Sequence, residues 1–137
     1  MKPLLKLLAL TAILLLLDGV WIQSFMAGQY QQMIPAIQGS PLTVRLFPSI
    51  IAYILIVASV YLLAYPHVRR ANLIQDSMFY GGLLGLFVYG IFSYTNYAVI
   101  QNWSPFVAIM DTLWGFILYS VSVGTLVYFM GESLDTI

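Results

Sequence analysis

Between Leu46 and Tyr65 the chain carries no charge, and residues 78–100 carry none either. Either run can cross the hydrocarbon core of a bilayer, which takes about 20 residues at a rise of about 1.5 Å each. Two further runs qualify, residues 4–26 and 105–130, and each holds one acid in its interior, Asp18 and Asp111. Overall, 61% of residues are hydrophobic and 7% are charged, whereas a soluble domain carries about 25% charged residues. A water-solvated globule is excluded. The reading is all-α and polytopic, with four transmembrane helices in a compact bundle. Residues 1–137 form a single transmembrane domain, and residues 27–45 form an interfacial loop that can be part helix and is not a separate domain.

Local chemistry marks the ends of these runs. Pro66 lacks an N–H and its ring clashes with the preceding turn, so the second helix stops there. Asp76 and Ser77 suit the N-cap of the third helix. Ser104-Pro105 is the cap-then-proline pattern that opens the fourth. Lys2, Lys6, Arg69 and Arg70 share one side if the helices alternate, which predicts both termini in the cytoplasm and leaves Arg45 opposite. Asp76, Glu132 and Asp135 are expected to stay near water. A removable signal peptide is disfavoured, because Phe25 would sit at the −3 position of a cleavage before Ala27. The protein is thus expected to be an integral, multi-pass membrane protein.

Several functional classes fall away. No cysteine means no disulfide and no thiolate chemistry, and a net charge of +0 offers no footprint for nucleic acid. No motif for a catalytic serine, a zinc helix or a phosphate loop is present. No cofactor is called for. His67 has no second ligand nearby, so no metal site is expected and the residue reads as solvated or as a lipid-phosphate contact.

The informative residues are the two acids. A carboxylate inside a membrane helix costs about 2.5–3.5 kcal/mol on insertion scales and therefore faces protein or water. Counted at about 1.5 Å per residue, Asp18 and Asp111 both lie roughly 9–12 Å below the outer surface. Ser93, Tyr94, Thr95, Asn96 and Tyr97 reach that layer from the third helix, and Ser49 and Tyr53 from the second. Each acid has a tryptophan three residues later, Trp21 and Trp114, on its own helix face. No base lies inside a span at that depth, and only Arg45 at the outer mouth could snorkel towards them. Two carboxyl groups in low dielectric without a counter-charge resist double ionisation, so at least one is expected to hold its proton. Asp18, Trp21, Thr95, Asn96, Asp111 and Trp114 are the candidate ligand-binding residues.

Blander roles suit the rest. Gly81-x-x-x-Gly85 and Ser120-x-x-x-Gly124 are small-residue spacings that let helices approach closely. Trp103, Tyr97 and Tyr30 read as anchors at the outer interface, and Tyr65 at the inner one.

Three ordered motifs resemble those of the membrane-protein family known as domain of unknown function 2177, found in bacteria and viruses. Asp18 and Trp21 followed by Tyr30 are similar to its first motif. Phe92-Ser93-Tyr94-Thr95-Asn96 with Trp103 is similar to its Tyr-Asp-x-Thr-Asn motif and following tryptophan. Asp111-Thr112-Leu113-Trp114-Gly115 is similar to its Asp-x-x-Trp-Gly motif. The resemblance covers nearly the whole chain and implies a compact four-helix membrane protein, with a weak pointer to lipid chemistry and no established reaction. Phe92 and Ser93 stand where that motif has tyrosine and aspartate. This departure implies either a lost activity or a burden shared between Asp18 and Asp111.

The functional expectation is an acidic, aromatic-lined site in the outer half of the bundle that binds or relays a proton, a cation or a lipid head group. Its partners would be membrane lipid and a small cation or head group. The alternatives are a structural or assembly subunit whose polar residues only lock helices together, and a lipid-modifying membrane enzyme. Oligomeric state is not legible.

Overall fold

The computed structural model describes residues 2–133, so Asp135 lies outside the described residues. Four helices are long and apolar enough to cross a membrane: α1 (Lys2–Gln38), α2 (Leu46–His67), α3 (Arg70–Val99) and α4 (Pro105–Met130). Both described chain ends lie at one end of the bundle, where Lys6 of α1 meets Glu132. The segment 39–45 and the turn between α3 and α4 lie at the other end, called the loop end below.

α4 is the central helix. Its buried residues include Val107, Asp111, Gly115, Leu118, Ser122 and Leu126, a stripe at three- and four-residue spacing, as a helix with one packed face requires. Ser104 caps its start by accepting from the Val107 N–H at 3.3 Å, with Pro105 in the first turn. α2 is the opposite case. None of Leu46–Ser59 is buried, although the span's mean hydropathy is 2.3. Leu46, Phe47, Ile54 and Leu55 are exposed, which suits contact with lipid and would be an aggregation surface in water.

α3 and α4 make the most extensive packing contact in the bundle. They touch backbone to backbone at Gly85 and Gly115: a Cβ on Gly85 would fall 2.0 Å from the Gly115 carbonyl oxygen. Gly81 lies against Tyr119 and Val123, Gly82 against Ser120 and Phe116, and Gly124 against Ser77. In lipid this intimacy supplies the dispersion energy that holds helices together, because apolar burial alone gains little there.

Two expectations about helix boundaries are corrected. Residues 27–38 of the expected interfacial loop continue α1 as regular helix through a π turn at Ile22–Met26. The helix ends at Gly39, whose φ of 74° is the left-handed geometry that glycine tolerates best. Only residues 39–45 remain as loop. Asp76 and Ser77 are not N-caps, since both have helical backbone and helical turns already begin at Arg70. Asp76 is also buried and not in water: its carboxylate accepts from the Arg69 backbone N–H at 3.1 Å and pairs with the Arg69 Nε at 3.2 Å.

The terminal end is tied together through the last carbonyls of α4. A helix leaves four C=O groups without internal partners, and a cation there also opposes the helix dipole. Arg70 donates to Val127 O at 3.3 Å and to Tyr128 O at 3.0 Å. The Tyr65 hydroxyl donates to Gly131 O at 2.6 Å, and Lys6 Nζ donates to Glu132 O at 3.0 Å while lying over the Tyr65 ring. Tyr65 and Lys6 are thereby buried, so Tyr65 is a core residue and not an interfacial anchor. Tyr65→Phe would leave a buried acceptor short of its donor, which costs about 1–3 kcal/mol. Chemical unfolding in micelles should show that loss, and an unchanged midpoint would contradict the bond.

Candidate functional site

The site forms where α1, α3 and α4 converge towards the loop end. Asp18 projects from α1 and Asp111 from α4; both are only 7% exposed. They line one cleft of about 390 Å³ together with Trp21, Tyr30, Tyr89 and Trp114. Leu42 and Val44 of the loop 39–45 form part of its wall.

Each carboxylate is held by neutral donors. Asp18 accepts from the Tyr53 hydroxyl of α2, and its Oδ1 accepts from Trp114 Nε1 of α4 at 2.9 Å. Asp111 Oδ2 accepts from the Tyr30 hydroxyl of α1 at 2.6 Å, with Ser93 Oγ of α3 more weakly placed at 3.5 Å. The one ion pair found among the described residues is Arg69–Asp76, at the other end of the bundle. Two buried acids therefore share a cleft in which every observed partner is uncharged.

The tryptophans are arranged otherwise than their spacing suggests. Trp114 follows Asp111 in sequence, yet its N–H crosses to Asp18. The reason is stacking: the Trp21 and Trp114 rings lie 4.7 Å apart and 6° from parallel, which commits both indoles to the α1–α4 seam. Trp21 Nε1 is buried and has no acceptor among the described residues.

The π turn explains how one helix supplies both Asp18 and Tyr30. At regular α-helical pitch, residues twelve apart differ by about 120° in direction. The wider turn at Ile22–Met26 underwinds α1 and returns Tyr30 towards the face that carries Asp18. Tyr30 is thus a site residue and not an interfacial anchor. Trp103 is likewise buried, in a cluster with Met26, Met33, Val107 and Ala108, while Tyr97 is exposed as an anchor would be.

Four of the six sequence candidates come together: Asp18, Trp21, Asp111 and Trp114. Thr95 and Asn96 do not. Ser93 is the α3 residue that points at Asp111; Thr95 lies about 200° round the helix from it and is exposed. Asn96 is half-buried near the end of α3 and makes no side-chain hydrogen bond to either acid. Tyr30 and Tyr89 were missed as site residues. For Tyr30 the only sequence signal was its place after the first motif; Tyr89 had none. His67 is exposed and stacks on Tyr80 at 4.8 Å, and the described residues contain no cluster fit to hold a metal ion.

Membrane-length helices with a glycine-mediated crossing define a multi-pass α-helical membrane protein with two acids buried inside its bundle. Residues 4–129 match the family described as "Predicted membrane protein (DUF2177)", and the chain belongs to that family. No curated protein and no solved structure matches the chain.

Proposed function

We propose that the cleft binds a cationic group, with Asp18 and Asp111 as its counter-charges. The observation that carries this reading is the pairing of two buried acids on one cleft wall with only neutral partners. Acids that served packing alone gain little from being acids, since interhelical hydrogen bonds in membranes average about 0.6 kcal/mol. Burying them costs several times that. The stacked indoles and Tyr89 add π faces, which attract cations further when water is excluded. Apolar walls from Ile22, Met26 and Phe92 favour a cation attached to a hydrocarbon body over a hydrated metal ion. The bias of Lys2, Lys6, Arg69 and Arg70 towards the terminal end supports a cytoplasmic placement for that end, and so an outward-facing cleft.

A structural reading has its own support. Asp18 links α1, α2 and α4, and Asp111 links α4, α1 and α3, so the acids also act as ties. Dodecylamine and dodecanol, titrated into the protein in nonionic detergent and followed by native mass spectrometry, separate the two. Saturable binding of the amine but not the alcohol is expected. Asp18→Asn and Asp111→Asn keep the side-chain shape and should each weaken amine binding about tenfold, the equivalent of about 1.4 kcal/mol. Equal binding of amine and alcohol, or a double variant that folds and binds as the parent does, would leave the structural reading standing alone.

A further inference from the structure

The cleft does not stand alone. Leu42 and Val44, which wall it, also wall a second and more polar pocket of about 720 Å³ that contains Arg45, Gln38 and Thr43. Ser49 joins that pocket to a third space, an apolar trough of about 560 Å³ between α1 and α2 bounded by Leu7, Leu15, Ile50 and Ile54. Tyr53 closes the circuit. It lines the trough and donates its hydroxyl to Asp18 in the acidic cleft. Acid, base and hydrocarbon surfaces therefore meet around one short stretch of chain, Leu42 to Tyr53.

We infer that the ligand is a phospholipid with a primary amine in its head group, held with its ammonium in the Asp18–Asp111 cleft, its phosphate at Arg45 and an acyl chain in the α1–α2 trough. This rests on the cation-binding reading and narrows it to one chemical class. Charge order supports it: the two acids and the single base at this end of the bundle mirror the opposite charges of such a head group. The trough opens on the lipid-facing surface of α2, where Ile50 and Ile54 are exposed, so the chain enters sideways without leaving hydrocarbon. A bare alkylamine satisfies the acids alone.

Native mass spectrometry of the full chain in nonionic detergent tests this with three probes: phosphatidylethanolamine, its N-acetyl derivative and dodecylamine. Phosphatidylethanolamine should bind at least about tenfold more tightly than dodecylamine, and N-acetylation, which removes the cation, should abolish that advantage. Arg45→Gln, at an exposed position that leaves the core intact, should erase the same tenfold gain while leaving dodecylamine binding unchanged. If dodecylamine binds but phosphatidylethanolamine binds no better, or if Arg45→Gln leaves its advantage in place, this inference is overturned and the cation site survives. If dodecylamine itself fails to bind, the cation-binding reading falls and this inference with it.

Discussion

Gly85→Ala should destabilise the protein by about 3 kcal/mol or more, a large effect for a single methyl group. Overpacked cores commonly lose about 1–3 kcal/mol because neighbouring side chains can shift. Here the obstacle is backbone. The new Cβ would lie 2.0 Å from the Gly115 carbonyl oxygen and 2.7 Å from its carbon, so α3 and α4 must move apart along their whole crossing. Gly115→Ala meets the same barrier from the other side, at 2.3 Å from Gly85 O and 2.6 Å from Tyr89 Cβ. Because Trp114 and Tyr89 adjoin this crossing and line the cleft, separation of the helices should also disrupt the site. Gly19→Ala is the control: nothing lies within 4 Å of its Cβ, and replacing a helical glycine with alanine gains up to about 1 kcal/mol. Unfolding free energies in mixed micelles should therefore move in opposite directions. Equal stability of the Gly85 and Gly19 variants would contradict the crossing.

Trp114→Ala should have the second largest effect. The side chain couples α1 to α4 through its stack on Trp21 and its N–H to Asp18. Removing a tryptophan from a soluble core costs about 3–5 kcal/mol, part of which is transfer from water. That part is missing for helices packed in lipid, so a loss of about 2 kcal/mol is expected. Trp114→Phe keeps a smaller stacked ring while removing the N–H and part of the indole, and should lose about 1 kcal/mol. The difference reports the stack, for which aromatic pairs gain about 0.5–1.5 kcal/mol. Identical stability of the two variants would mean that the rings do not hold α1 to α4.

Much of the architecture was legible because a bilayer enforces it. Uncharged runs such as 46–65 can only be spans, since an unpaired backbone in hydrocarbon costs several kcal/mol per group. The Ser104-Pro105 start of α4 is a local signal with a local cause, and the structure shows the cap in place. The extension of α1 to Gln38 was hidden because the glutamine-rich stretch 27–45 reads as interfacial, yet Met33 and Tyr30 anchor that turn against α4 and Trp103.

The candidate site was legible in its acids and not in its partners. Asp18 and Asp111 stood out because lipid penalises them wherever they point, a cost attached to residue type and depth. Which donor serves which acid depends on helix phase and crossing. Ser93, not Asn96, reaches Asp111, because α3 meets α4 in the phase set at Gly85. Tyr30 reaches Asp111 only because a π turn underwinds α1. Composition and period thus determine that the chain crosses a membrane and that two acids stay buried, since both follow from the solvent acting on each residue separately. The tyrosine partners, the crossed Trp114 bond and the shared cleft arise from distances between helices far apart in sequence, and single-residue energetics carry no record of those.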